Sequence, residues 1–149
     1  MKLIQMARIA VAALGVALAG AAAAHSDEYL ETVQAPNGGQ LRMAGGYHYE
    51  LVVKPGASGG TNEVLVYLTD HAGTAVPTEG ASGTVTVLSK GKTSVALKPE
   101  GKNAMRGSGN FEINPKLKAV VSVALPGQQA EQARFSPFAK AADGNGSKH

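Results

Sequence analysis

The sequence predicts an all-β protein, an immunoglobulin-like antiparallel β-sandwich of about seven strands preceded by a signal peptide. Three observations support this fold class. Short segments alternate apolar and polar residues, they are rich in Val, Thr and Tyr, and turn residues separate them. Beyond the signal, no segment shows the helical period of about 3.6 residues. The predicted strands cover residues 40–43, 47–53, 63–70, 119–125 and 133–135, and three more are marked by Val85 and Val87, by Val95 and Leu97, and by Phe111 and Ile113.

Residues 47–53 alternate most clearly, with Tyr49 and Leu51 on one face and His48 and Glu50 on the other. A small closed barrel is the alternative architecture, because the disulfide and core tryptophan of immunoglobulin domains are both absent. Without cysteine, the fold depends on its hydrophobic core. That core is predicted to contain Val66, Leu68, Val85, Val87, Leu97, Phe111, Val121, Val123 and Phe135.

The N-terminal segment 1–24 is predicted to be a cleaved signal peptide. Lys2 and Arg8 form a basic start, an apolar stretch follows, and four alanines precede His25. The apolar stretch is shorter than the roughly 20 residues of a spanning helix, so we expect no stable membrane span after cleavage. The predicted location is periplasmic or secreted. The mature chain then consists of a flexible arm (25–37), a β-sandwich domain (38–138) and a disordered tail (139–149).

The charge of the mature chain argues against nucleic-acid binding. Lys2 and Arg8 account for two of the 14 basic side chains, so 12 basic and 11 acidic side chains remain after cleavage. The lysines are scattered, whereas nucleic-acid binding needs a clustered basic surface. No nucleophile elbow, zinc-protease helix or phosphate-binding loop is present, so we also expect no enzymatic activity.

The residues best suited to chemistry are ligands for a transition metal, because imidazole and thioether groups favour copper. His25 is the first candidate. If cleavage follows Ala24, the terminal amine and imidazole of His25 can together chelate Cu(II). The alternative is that His25 is a polar residue in a flexible arm.

Three further candidates surround the second strand. His48 and Glu50 share one face of residues 47–53, and Met43 lies across the tight connection of residues 44–46. A hairpin there would bring Met43 and His48 to the same end of the sheet. The alternative places His48 on a solvated surface.

The last candidates, Asp70 and His71, end a strand. Asp70 can instead serve as a hydrogen-bond acceptor in the turn that follows. Because residues 47–53 and 63–70 are consecutive strands, antiparallel pairing would place His48 near Asp70 and His71. The arm could carry His25 to the same place, which predicts a cluster of three histidines.

Four segments resemble a known family: residues 37–40 (NGGQ), 44–53 (AGGYHYELVV), 66–71 (VYLTDH) and 133–135 (ARF). They are similar to small periplasmic proteins, and to segments of periplasmic adaptor subunits, associated with heavy-metal efflux of the resistance-nodulation-division type. The resemblance spans residues 36–137. Asn37 stands where many related segments have histidine, which removes one potential ligand. The resemblance implies a role in heavy-metal resistance.

Two hypotheses for the function follow. In the first, the chain is a non-enzymatic periplasmic protein that binds a transition metal, copper, at His25, His48 and His71. Met43, Glu50 and Asp70 would be secondary ligands. In the second, the chain is a metal-free interaction module that contacts an efflux adaptor or another envelope protein.

Overall fold

The computed structural model describes residues 26–57 and 60–139. The predicted signal peptide, His25 and residues 140–149 of the predicted tail lie outside these residues. Within them, eight antiparallel strands follow one short helix, α1 (Asp27–Thr32). The strands are β1 (Gln40–Ala44), β2 (Tyr47–Pro55), β3 (Thr61–Asp70), β4 (Ser82–Leu88), β5 (Lys92–Gly101), β6 (Ala104–Asn110), β7 (Lys118–Ala124) and β8 (Glu131–Phe135). Within the described residues, no helix is long and apolar enough to cross a membrane.

The eight strands form one sheet in the order β1-β2-β3-β6-β5-β4-β7-β8. The predicted all-β class and antiparallel pairing are confirmed. The sheet is nearly closed and barrel-like, because its two outer strands, β1 and β8, pack beside each other. The sheet therefore has eight strands rather than about seven. It curves around the core like the small closed barrel that was the alternative architecture. Strand β5 joins the two halves, since it pairs with both β4 and β6.

Side chains bridge the gap between β1 and β8. The Gln40 amide donates to the Ser136 carbonyl at 3.4 Å and accepts from the Ser136 N–H at 2.8 Å, as a paired strand would. Inside the sheet, the Tyr49 hydroxyl lies 3.4 Å from the carbonyls of Val123 and Glu131. Burial, with smaller contributions from Glu131 and Tyr47, raises the pKa of Tyr49, so its phenol stays a neutral donor.

The core fills the interior of this sheet. All nine residues predicted for the core are buried. Tyr49 and Leu51 of β2 also point inward, as their alternation predicted, and they are 1% and 0% exposed.

The outer face of β2 is not the solvated surface that was the alternative for His48. His48 and Glu50 are 7% and 2% exposed. Helix α1 and the turn that precedes β1 cover them. β2 is thus buried on both faces along its first half, although only one face belongs to the core.

Helix α1 lies in the segment predicted to be a flexible arm. Ser26 caps it by accepting a hydrogen bond from the Tyr29 N–H at 3.2 Å, and two acidic residues occupy the first turn. Leu30 is its one buried residue. Asp27 anchors the helix to β1 by accepting from the Met43 N–H at 2.8 Å, and Glu31 pairs with Arg42 at 3.0 Å.

The strand predicted around Phe111 and Ile113 is wrong in position, because β6 ends at Asn110. The apolar alternation that marks a strand is missing from β6, where Gly107 and Gly109 occupy alternate positions. These glycines allow close contact with β5. A Cβ on Gly107 would lie 2.3 Å from the Ala96 carbonyl oxygen.

We expect Phe135→Ala to lower the free energy of unfolding by about 3–5 kcal/mol, because it removes a fully buried ring next to the β1–β8 gap. Phe135 is 2% exposed. Denaturant unfolding measures the loss. Leu88→Ala is the control, since Leu88 is 42% exposed and its truncation should change stability by no more than about 0.5 kcal/mol. A loss below about 1 kcal/mol for Phe135→Ala would contradict the core assignment.

Candidate functional site

A pocket of about 260 Å³ lies between helix α1 and the outer face of β2 and β3. Helix α1 contributes Tyr29 and Leu30 to its wall. The two strands contribute His48 and Glu50, then Tyr67 and Thr69, and His71 follows directly after β3. The pocket therefore contains three of the six residues that the sequence singled out.

His48 and His71 meet in this pocket. Their ring centroids are 4.9 Å apart and the rings are nearly perpendicular, at 87°. The antiparallel register explains this contact: His48 pairs with Thr69, two positions before His71. The predicted approach of the two histidines is confirmed, and it follows from strand pairing together with the turn after β3.

A turn after β3 sets the direction of His71. One carboxylate oxygen of Asp70 accepts hydrogen bonds from the N–H groups of Ala72 and Thr74, both at 2.9 Å. Gly73 has a φ of +82°, which glycine adopts at little cost. Asp70 therefore stabilises the turn, which is the structural alternative that the sequence left open.

Glu50 also has a structural role. One of its oxygens accepts from the Asn37 N–H at 3.2 Å and from the Asn37 side-chain amide at 2.9 Å. The other accepts from the Asn37 N–H at 2.9 Å and from the Gly39 N–H at 2.8 Å. Three N–H donors thus bind the carboxylate, and the Asn37 N–H is shared between both oxygens. In this arrangement Glu50 fixes the turn before β1, and both of its oxygens accept hydrogen bonds.

Met43 lies beside His48. It faces His48 across the β1–β2 register, so both side chains point to the outer side of the sheet. Met43 is half-buried and is not among the residues that line the pocket. Its N–H donates to Asp27, which brings the first turn of α1 next to the strand that faces His48.

The two imidazoles are the core of any metal site here. Across residues 26–57 and 60–139, no group of three His, Cys, Asp or Glu side chains could hold a metal ion. His25, the third predicted histidine, lies outside these residues. The described part of the chain thus brings together two of the three candidate histidines.

The spacing of the pair suits a shared ion. With metal–nitrogen bonds of about 2.0–2.1 Å and ring centres about 1.1 Å further out, two imidazoles on one ion have centroids about 4.5 Å apart at a right angle and about 5.1 Å apart in a tetrahedron. The observed 4.9 Å lies between these values. It also suits an edge-to-face ring pair, a contact that needs no ion.

Sequence reasoning missed the aromatic and helical wall of the pocket, including Tyr29, Leu30 and Tyr67. The available signal was Ser26 followed by two acidic residues, which is typical of a helix start. Asn37 was considered only as a missing histidine, yet its backbone and side chain are the main partners of Glu50.

No protein-family model matches the chain. No curated protein matches it either. Among solved structures, the chain is similar to a DUF4426 family protein from Pseudomonas aeruginosa, with 15% sequence identity and a TM-score of 0.49. The alignment covers 68% of this chain and 94% of that one.

We expect Glu50→Gln to lower the free energy of unfolding by about 1.5–3 kcal/mol, because the new amide group would point its own N–H donors at the N–H groups of residues 37–39. Denaturant unfolding provides the measurement. The control is Glu63→Gln, which removes a partly exposed ion pair with Arg106 worth about 0–1 kcal/mol. Equal stabilities for the two variants would refute the structural role of Glu50.

Proposed function

We propose that this chain is a non-enzymatic periplasmic protein that binds a transition metal, copper, and serves in heavy-metal resistance by buffering the ion or passing it to an efflux system. One observation carries the proposal. His48 and His71 lie with ring centroids 4.9 Å apart in a pocket under α1, at a spacing that one ion can bridge.

The composition of the pocket suits copper. Imidazole nitrogen is a good ligand for copper and zinc, and the chain contains no thiolate that would favour a structural zinc site. The carboxylates next to the pair, Glu50 and Asp70, are engaged in backbone hydrogen bonds. A nitrogen-rich environment with few free carboxylates suits copper better than calcium or magnesium.

The surroundings suit a carrier that exchanges its ion. His48 is buried, but His71 is only partly buried and lies at a turn on the rim of the sheet. One side of the ion would therefore be reachable from solvent. The resemblance of segments 44–53 and 66–71 to efflux-associated periplasmic proteins agrees with this role, because those segments contain both histidines.

A second candidate function is a metal-free module that contacts an efflux adaptor or another envelope protein. Tyr29 and Val33 favour it. They are 51% and 39% exposed, they lie one turn apart, at the third residue of α1 and at its C-terminal cap, and both line the pocket. Exposed apolar side chains beside a pocket are common at protein–protein contacts.

Copper titration of the purified protein separates the two candidates. We expect one Cu(II) ion to bind per chain. His48→Ala and His71→Ala should each weaken Cu(II) binding, because each removes a direct ligand. The loss in affinity should exceed the roughly 10–100-fold that results from mutating a residue next to the ligands of a metal site. His149→Ala is the matched control, since it removes a histidine from the predicted tail and should leave affinity unchanged.

Stability must be measured alongside affinity, because His48 is buried. His71→Ala is the more informative variant, since His71 is only partly buried and its loss should leave the fold intact. If a folded His48→Ala/His71→Ala double variant binds Cu(II) as tightly as the unaltered protein, the copper site is disproved. The interaction module would then be the better account.

A further inference from the structure

The charged side chains are divided unevenly between the two halves of the chain. Residues 26–79 contain two basic and seven acidic side chains, whereas residues 80–139 contain eight basic and three acidic ones. The first range forms α1 and strands β1 to β3, and the second forms β4 to β8. Each set of strands is contiguous in the sheet, so the molecule has an acidic side and a basic side. Such asymmetry is typical of proteins that bind a charged partner.

Four lysines of the basic side gather around an exposed leucine at one end of the barrel. Leu88, the last residue of β4, pairs across the sheet with Lys92 on one side and with Lys118 on the other. Residues directly opposite in antiparallel strands share a face, so these two lysines flank Leu88. Lys90 lies in the turn after β4 and Lys116 lies just before β7, and both line an open cleft of about 570 Å³ with Leu88.

These five residues, the lysine cluster, face solvent with little negative charge near them. All five are exposed, and Leu88 is 42% exposed. Glu112 is the one acidic residue that lines the cleft, and its carboxylate lies 2.8 Å from the Lys90 ammonium. No acidic residue occurs in β4, in β7 or in the part of β5 that pairs with β4. Four lysines against one glutamate leave a net charge of +3.

A basic surface with a leucine at its centre suits an anionic bilayer. Lysine ammonium groups are attracted to lipid phosphates, and an apolar side chain between them can enter the interface below the headgroups. Nucleic acid fits less well, because the cluster contains no aromatic ring to stack on a base and no arginine to make a bidentate contact. The lysines are spread along the sequence, and the pairing of β4 with β5 and β7 brings them together.

The lysine cluster lies on the far side of the barrel from the histidine pocket. In the eight-strand order, β4 is four positions from β2, and β7 is four positions from β3, so in a nearly closed sheet they form opposite walls. The two sites also lie at opposite ends. The Tyr47 hydroxyl donates to the Gln128 side chain at 2.9 Å, which places the start of β2 beside the turn after β7. The cluster lies where β7 begins.

We propose that the lysine cluster docks the protein on an anionic phospholipid surface, with Leu88 entering the interface and the four lysines contacting headgroup phosphates. The protein would then hold its histidine pocket away from the membrane. This inference goes beyond the copper function and does not depend on it, because the two sites share no residue. Binding should weaken as salt rises, since salt screens the attraction between exposed charges.

The test is cosedimentation of the protein, purified after export, with vesicles at low and high salt. One set of vesicles contains anionic phosphatidylglycerol in phosphatidylcholine, and the other contains phosphatidylcholine alone. The variants are Leu88→Gln and Lys92→Gln/Lys118→Gln. The matched control is Lys54→Gln/Lys102→Gln, which removes the same charge from exposed lysines outside the cluster. Denaturant unfolding shows that each variant is folded.

We expect the unaltered chain to bind the anionic vesicles and not those of phosphatidylcholine alone. Lys92→Gln/Lys118→Gln should weaken this binding about 25-fold, or about fivefold for each lysine removed, while the control keeps the affinity of the unaltered chain. Leu88→Gln should weaken binding most clearly at high salt, where screening leaves the apolar contribution dominant.

Three results would overturn the inference. The first is an unaltered chain that does not bind the anionic vesicles. The second is an equal loss in the two double variants, because binding would then depend on total charge and not on the cluster. The third is a Leu88→Gln variant that binds like the unaltered chain at both salt concentrations. Cu(II) titration of Lys92→Gln/Lys118→Gln keeps the two proposals apart, since this variant should bind copper as the unaltered chain does.

Discussion

Strand β2 (Tyr47–Pro55) is enclosed on both faces over its first half, and the positions of the neighbouring elements depend on this double burial. Tyr49 and Leu51 pack into the interior of the sheet, while His48 and Glu50 face helix α1. A shift of one residue in register would exchange the two sets and bury an imidazole and a carboxylate in the apolar core. The pairing with β3 is thus strongly specified, and the same register places His48 next to His71.

Glu50 connects the strand to its cover. Its carboxylate binds the N–H groups of Asn37 and Gly39, so the turn before β1 is fixed on the outer face of the sheet. Asp27 and Glu31 then attach α1 to β1. A six-residue helix is too short to be stable alone, so these contacts and the burial of Leu30 hold it in place. The pocket is therefore a product of the packing on β2, and the histidines meet inside an already built enclosure.

The strands and the histidine contact could be predicted because they depend on local alternation and on pairing between consecutive segments. Other features depend on information that alternation does not contain. Helix α1 has a single buried residue, Leu30, so it shows no apolar period. Strand β6 carries glycines at alternate positions because its backbone approaches β5 closely. Closure of the sheet depends on Gln40 and Ser136, which are 96 residues apart in sequence.

The central claim is that His48 and His71 meet without a metal ion. A nuclear Overhauser contact between their ring protons in the metal-free protein tests it most directly. The account predicts such a contact, because the ring centroids are 4.9 Å apart in an edge-to-face arrangement. It also predicts that the contact persists in His25→Ala, since β2–β3 pairing and the turn after β3 create it. Absence of the contact in a folded protein whose His48 and His71 ring signals are both assigned would contradict the histidine pair and the site built on it.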